Sequence, residues 1–339
     1  MLRLPPFTYH APRSLDEAVQ LLTDYGSEAM VVAGGTDLYP KMKRRQMTPS
    51  HLVALRGLRD LYGVRQTGDG AWQFGALATL TQVGEHTEVS NVFPALTHAA
   101  GQVSTPQLRN AGTIGGNLCV DTRCTYYDQT EHWRRSINYC LKKDGEVCWV
   151  APGSPRCWAV SSSDTAPVMV ALGAQVHLVG PSGERTEPVA AIYGTDGIDY
   201  LAGKQANEII TSITLPVVEG TENIYLKLRR RGSFDFPILG VAVALRREPD
   251  GTVRDARVVL GAVESFPLRV PAAEVLLNGQ RLTPEVIEAA AAVCRKPARP
   301  LDNTDLTLYY RSKMVPVFVA RALRRLARLE TAGTDEVAA

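Results

Sequence analysis

Two glycine-paired stretches constrain this chain more than any other feature in it. "VVAGGTDL", Val31 to Leu38, sets two glycines straight after an apolar strand, and "GTIGGNL" repeats the arrangement from Gly112. Glycine tolerates positive φ and lets backbone N–H groups face outward with no Cβ in the way. Successive N–H groups in such a turn form an anion-binding concavity. Neither stretch matches G-x-G-x-x-G or the Walker pattern, so a Rossmann dinucleotide fold and a P-loop are both disfavoured. One Gly-Gly pair alone is as well read as a tight turn. Two, each followed by polar residues (Thr36 and Asp37; Asn117), suit a diphosphate held from two sides.

The patterning around these loops alternates helix and strand. "PRSLDEAVQLLTDYG" predicts a helix with Ser14 as N-cap and Gly26 just past its end. "AMVVAGG" and "HLVAL" predict strands, which makes residues 1–60 a small α/β lobe. From 61, two strands around a turn at Gly68-Asp69-Gly70 are predicted, then a helix in "VFPALTHAAGQV" and a helix–strand pair in "SDTAPVMVALGAQVHLVG". A third section begins near 222. Its strands alternate around Pro249-Asp250-Gly251, and "PAAEVLLNG", "TPEVIEAAAAVC" and "SKMVPVFVARALRRLARLE" read as helices.

A tract at about 121–163 breaks the pattern. It holds four of the six cysteines, Cys124, Cys140, Cys148 and Cys157, spaced C-x15-C-x7-C-x8-C, and three of the four tryptophans. Zinc ribbons use close C-x2-C knuckles, and bacterial ferredoxins use runs of C-x2-C; neither is present. Widely spread thiolates still suit an iron–sulfur cube, which is broader than one zinc ion and can be reached from separate loops. From spacing alone, a cluster, a zinc site and unrelated buried thiols all stand. Aromatic residues of the tract could screen a cluster from water. Cys119 and Cys294 read as packing residues, and His132 as a solvated side chain.

Composition narrows the function classes. With 339 residues, two or three domains are expected. The net charge is +2, from 37 Lys and Arg against 35 Asp and Glu, which gives no support to nucleic-acid or membrane-surface binding. No signal peptide and no apolar run of 18 residues is present, so a cytoplasmic location and no membrane span are expected.

Taken in order, the two glycine loops, "SSSDTAPVMVALGA", "EIITSITLP" and "YLKLRRRGSFDFPILGVAVAL" resemble the FAD-binding medium subunit of the molybdenum hydroxylases, which include xanthine dehydrogenase and carbon monoxide dehydrogenase. The resemblance covers almost the whole chain. It implies an α+β fold: a two-lobed FAD-binding domain of the vanillyl-alcohol-oxidase type over 1–220, with lobes at about 1–60 and 61–220. A C-terminal domain of the carbon monoxide dehydrogenase flavoprotein type follows at 221–331, with a small antiparallel sheet and helices, and then a tail at 332–339. It assigns FAD contacts to Val31, Val32, Ala33, Gly34, Gly35, Thr36, Asp37 and Leu38, to Thr113, Ile114, Gly115, Gly116 and Asn117, and to Val103, Asp164, Ile210 and Lys227. For Val103 and Ile210 the alternative is core packing, and for Lys227 a surface charge.

Most such subunits pass from the second glycine loop to the following Asp within about ten residues. The cysteine tract is therefore an insertion, and one with these gaps resembles that of the 4-hydroxybenzoyl-CoA reductase branch, where it carries a 4Fe–4S cluster. The resemblance implies Cys124, Cys140, Cys148 and Cys157 as ligands and ferredoxin as electron donor. It places the molybdenum cofactor on a large partner subunit and 2Fe–2S clusters on a small one, in a dimer of heterotrimers. Arg134, Arg135, Lys142 and Lys143 are candidate docking charges for an acidic ferredoxin. No catalytic base or nucleophile is nominated. Three other readings compete: another molybdenum hydroxylase, a non-redox module with structural zinc, and a covalent flavin oxidase acting alone.

Overall fold

The computed structural model describes residues 3–329; the predicted tail at 332–339 lies outside the described residues. Strands β1 (Thr8–His10), β2 (Ala29–Val32) and β3 (His51–Ala54) form a parallel sheet in the order β1-β3-β2. Parallel strands of one sheet need crossovers: helix Leu15–Tyr25 carries the chain from β1 to β2, and helix Leu38–Lys43 carries it from β2 to its neighbour β3. Ser14 accepts the Glu17 N–H at its start, and Gly26 at φ +49 ends it, as the sequence predicts. Ala18, Val19 and Leu22 form its buried face. The three-residue β1 was not foreseen; it is too short to show a period.

The second lobe is an antiparallel sheet ordered β4-β5-β8-β6-β7, from β4 (Val64–Gln66), β5 (Trp72–Gly75), β6 (Gln175–Gly180), β7 (Gly183–Pro188) and β8 (Ile209–Leu215). The helices Pro94–Gln102 and Thr165–Ala171 cover it and share its core. The third unit is a sheet ordered β12-β11-β10-β9, from β9 (Thr221–Leu228), β10 (Leu239–Arg247), β11 (Val253–Gly261) and β12 (Leu268–Arg269). Both faces of β10 are buried. Val241, Val243 and Leu245 face the helices Pro271–Leu277, Pro284–Val293 and Leu308–Leu326, whereas Ala242 and Ala244 join the core of the second lobe. The small residues let helix Thr165–Ala171 come close: a Cβ on Gly261 would lie 2.9 Å from Pro167. The fold is thus α+β, two sheet-containing lobes followed by a sheet-and-helix domain.

The cysteine tract leaves the second lobe as a closed excursion. Arg123 and Val160 exchange both backbone hydrogen bonds at its neck, at 2.9 and 2.8 Å. Inside it, the one α-helix is Glu131–Ser136, capped by Thr130. The rest is turns, with Asn138, Tyr139 and Asp144 at positive φ. Its core is small: Cys124, Tyr127, Cys140, Cys157 and Ala159. Polar ties hold it to the body. Thr125 N–H donates to the Asn303 carbonyl, Asn303 Nδ2 donates to the Trp158 carbonyl, and Arg156 pairs with Glu264 at 3.0 Å.

Candidate functional site

The two glycine loops meet. A Cβ on Gly34 would sit 2.0 Å from the Ala111 carbonyl oxygen, and one on Gly112 would lie 3.5 Å from Thr36 Oγ1. At Gly34 only a residue without a side chain lets the backbones approach so closely. Gly35, at φ +70, supplies the left-handed turn of the first loop. The second loop differs from the expected turn. Thr113 caps a short helix, Ile114–Leu118, by accepting the Gly116 N–H at 3.1 Å, so Gly115 and Gly116 are helical. Gly115 is required by contact instead: its Cβ would lie 2.8 Å from that of Ala76.

The remaining FAD candidates gather behind this junction. Asn117 Oδ1 accepts from Ser163 Oγ at 2.8 Å and from Thr165 Oγ1 at 2.7 Å, which ties the second loop to the turn carrying Asp164. Lys227 is fully buried, not the surface charge that the sequence left open. Its Nζ lies 2.8 Å from Asp164 Oδ2 and 3.0 Å from the Gln102 carbonyl, beside Val103. Tyr225, missed in the sequence, donates to Asp164 Oδ1 at 2.7 Å. Burial pushes the Asp164 carboxyl up, against the pull of Lys227. Val103 is half-buried against the core of the second lobe. Ile210 is packed inside that core, paired with Leu178.

The loops and the Asp164 pair fit a bound FAD. Ser162 Oγ and Arg229 Nε, two residues from Asp164 and from Lys227, are buried without a partner. Both are free to bond a ligand.

The four tract cysteines are buried and unbridged. They are also neighbours: Cys157 and Cys140 act electrostatically on Cys124, and Cys148 acts on both Cys140 and Cys157. Burial pushes the Cys124 thiol up to about 12 and Cys157 to about 11, and raises Cys140 as well. The backbone opposes this. N–H groups of Tyr126 and Tyr127 face the Cys124 sulfur, those of Lys142 and Lys143 face Cys140, and Ala159 N–H lies 3.4 Å from Cys157 Sγ. Such donors favour thiolate over thiol, as sulfurs ligating a cluster require. Arg134, also buried here, has two nitrogens without a partner, Nε and Nη1. Anionic sulfur suits these donors. Among the described residues no three His, Cys, Asp or Glu groups close on a single ion.

Several expectations about the tract change. Arg134 and Lys142 are not docking charges, because both are buried. Arg134 Nη2 donates to the carbonyls of Arg44 and Arg45, each at 2.9 Å, and Lys142 Nζ lies 2.8 Å from Asp121. Arg135 and Lys143 are more open but pair locally, with Glu131 and Asp144. Of the tract's aromatic residues, Tyr127 packs among the cysteines with Tyr126 against it, Trp133 and Trp158 are half-buried, and Trp149 is 39% exposed. Cys294 is buried on its helix and Cys119 half-buried after the second loop, while His132 is exposed.

A buried ionic bridge joins the two halves of the site. Lys41, one turn after Asp37, pairs with Asp121 at 2.8 Å, and Asp121 pairs onward with Lys142. Burial raises the Asp121 carboxyl, but Lys142 and Lys41 outweigh it and hold it below the usual range. Burial raises Asp37, against Lys41 and Arg123. Arg123, next to Cys124, reaches Asp37 at 3.9 Å and Asp128 at 3.4 Å and stacks on Phe236 at 3.9 Å. A cleft of about 280 Å³ opens here, lined among others by Arg123, Cys124, Ser162 and Phe236. Nothing local in the sequence marks this bridge, because Lys41 and Asp121 lie 80 residues apart.

Residues 5–218 match the family described as the FAD binding domain in molybdopterin dehydrogenase, and residues 223–326 match the carbon monoxide dehydrogenase flavoprotein C-terminal domain. The chain is 30% identical over 321 residues to the carbon monoxide dehydrogenase medium chain of Hydrogenophaga pseudoflava, covering 94% of this chain and 96% of that one. It is 33% identical over 280 residues to an aldehyde oxidoreductase FAD-binding subunit of Escherichia coli K12, covering 80% and 86%. A solved carbon monoxide dehydrogenase structure from Hydrogenophaga pseudoflava superimposes with a TM-score of 0.78 at 31% identity, covering 97% of this chain and all of the other.

Proposed function

Since the chain belongs to the FAD-binding family of the molybdopterin dehydrogenases, we propose that it is an electron-transfer subunit that holds FAD at its glycine loops and a 4Fe–4S cluster at Cys124, Cys140, Cys148 and Cys157. In this reading it serves a reductase of the 4-hydroxybenzoyl-CoA type, which removes the 4-hydroxyl to give benzoyl-CoA. FAD, when bound, exchanges electrons in pairs or singly, whereas an iron–sulfur cluster passes one at a time. The residues named above would orient the two groups and keep water from them. Gly34 lets the two loops meet and Gly35 turns the first of them, with the other residues of Val31–Leu38 and Thr113–Asn117 around the cofactor. Asp164 and Lys227 fix the turn behind it, beside Val103 and Ile210. Tyr127 closes the space around the thiols.

The observation that carries this reading is that one inserted lobe holds four buried, unbridged thiols. Like the medium chains it is similar to, the subunit would work with a large molybdenum-cofactor subunit and a small 2Fe–2S subunit, as a dimer of heterotrimers in the cytoplasm. Reduced ferredoxin would donate electrons through the cluster. The domain limits proposed are 1–220 and 221–331, with the insertion at about 121–163.

A second reading is favoured by the relatives themselves. Carbon monoxide dehydrogenase and aldehyde oxidoreductase subunits resemble the chain in both domains, so the FAD subunit of another molybdenum hydroxylase fits that likeness equally well. Anaerobic purification with the co-expressed neighbouring subunits separates the two. The reductase reading expects one FAD, about four iron and four acid-labile sulfide per chain, and oxidation of reduced ferredoxin when 4-hydroxybenzoyl-CoA is added. A preparation with flavin but no sulfide on this subunit, or one that oxidises xanthine or an aldehyde instead, sinks it. With Cys157→Ser, iron and sulfide on this subunit are expected to be lost while FAD stays.

A further inference from the structure

Arg134 and Arg311 are the two largest side chains withdrawn from solvent, and they are satisfied very differently. Every nitrogen of the Arg311 guanidinium has an acceptor: Nε the Ile238 carbonyl, Nη1 the Leu301 carbonyl and Asn303 Oδ1, and Nη2 the Ala262 carbonyl. Arg134 uses Nη2 alone, on the carbonyls of Arg44 and Arg45 that end the helix after the first glycine loop. Its Nε and Nη1 have no partner, and among the described residues no carboxylate pairs with it. A buried cation with idle donors is costly, so it implies an anionic acceptor that the polypeptide does not supply. Its charge acts on the Cys140 thiol, and it faces the Tyr139 ring at 5.9 Å. Its carbonyl accepts from the N–H of Tyr139, the residue before Cys140, so it stands beside that cysteine, tied by Nη2 to the end of the helix after the first glycine loop.

We propose that Arg134 donates through Nε and Nη1 to sulfur of the bound cluster and so raises the potential at which the cluster takes up an electron. The inference rests on the cluster reading above. Hydrogen bonds to sulfur and net charge are the levers that set such potentials, and each favours the more negative, reduced state. Lys142 is the contrasting cation: Asp121, Thr122 Oγ1 and the Gly197 carbonyl satisfy it already, and Asp121 offsets its charge. Arg134 has no such offset.

The test is a redox titration of the purified enzyme complex, followed by electron paramagnetic resonance, with iron and sulfide assayed in parallel. Arg134→Gln is expected to keep the cluster and weaken its reduction about tenfold, equivalent to ~59 mV for one electron. Arg135→Gln, at a side chain 68% exposed, is expected to leave the potential in place. A shift under threefold in Arg134→Gln, or an equal shift in Arg135→Gln, overturns the proposal. If Arg134→Gln binds no iron, the unaltered complex decides. With guanidino-15N arginine incorporated, the reduced cluster must show hyperfine coupling to an arginine nitrogen, and its absence rejects the assignment. An unaltered complex without labile sulfide refutes the cluster reading itself. A cluster with an unmoved potential refutes only the role of Arg134.

Discussion

The flavin cradle and the cysteine lobe reach their shapes by opposite means. The cradle is made by omission: Gly34, Gly35 and Gly115 leave out side chains so that regular elements can touch. The lobe is made by addition, with buried charges and backbone N–H groups stitching an irregular chain that has little apolar core of its own. A site built by close approach tolerates no extra atom. A site built from many polar ties tolerates the loss of an exposed one and fails when a buried one goes.

The strongest challenge to this contrast is Gly34→Val. Its Cβ meets a carbonyl oxygen at 2.0 Å, and the rest of the side chain adds to the clash. Overpacking costs about 1–3 kcal/mol, more where the obstacle is backbone. FAD content of the purified subunit is expected to fall below a tenth, with iron and sulfide still bound; normal FAD content would show that the loops can part. Next in size is Lys227→Met, which strips the buried Asp164 of its cation. Breaking such a pair costs about 3–5 kcal/mol, and chemical denaturation is expected to show a loss of that order. A loss under about 1 kcal/mol would mean that Tyr225 and protonation of Asp164 compensate.

The smallest effect is expected at the edge of the lobe, in Arg156→Ala. Arg156 is partly exposed, so its pair with Glu264 is worth about 1 kcal/mol or less at neutral pH. Burial raises the Glu264 carboxyl and Arg156 opposes the rise. Without Arg156 the folded-state value climbs further, so the deficit is present where the folded carboxyl is ionised. It is expected to shrink as pH falls through the two raised folded-state values and to be gone by 4.5, which lies below both. Melting temperatures of the two proteins measured at pH 7 and pH 4 check this; a gap that widens in acid contradicts it.

The sequence made the cradle more legible than the lobe for the same reason. Glycine pairs after a strand, the Ser14 cap and the Gly26 stop are local signals, and each lies where the pattern puts it. The helical state of Gly115 and Gly116 was hidden, because their contact, Ala76, is some forty residues away. The four thiols could be counted but not placed. Arg134 and Lys142 read as surface charges since their partners lie elsewhere in the chain: the Arg44 carbonyl is 90 residues from Arg134, and Asp121 is 21 from Lys142. Lys227 was equally opaque, with Asp164 63 residues away. Pairing across such distances leaves no period behind.

The neck at Arg123 and Val160 has a consequence for how such chains acquire new parts. Its two ends are already hydrogen-bonded, so the excursion begins and finishes at one point on its host. Lengthening a loop there adds only a slowly growing entropic term. A tight turn could stand in its place without moving either flanking strand or helix. The cysteine lobe thus enters and leaves its host by one doorway, and side-chain ties from Gln46, Glu264 and Asn303 anchor it beyond that doorway.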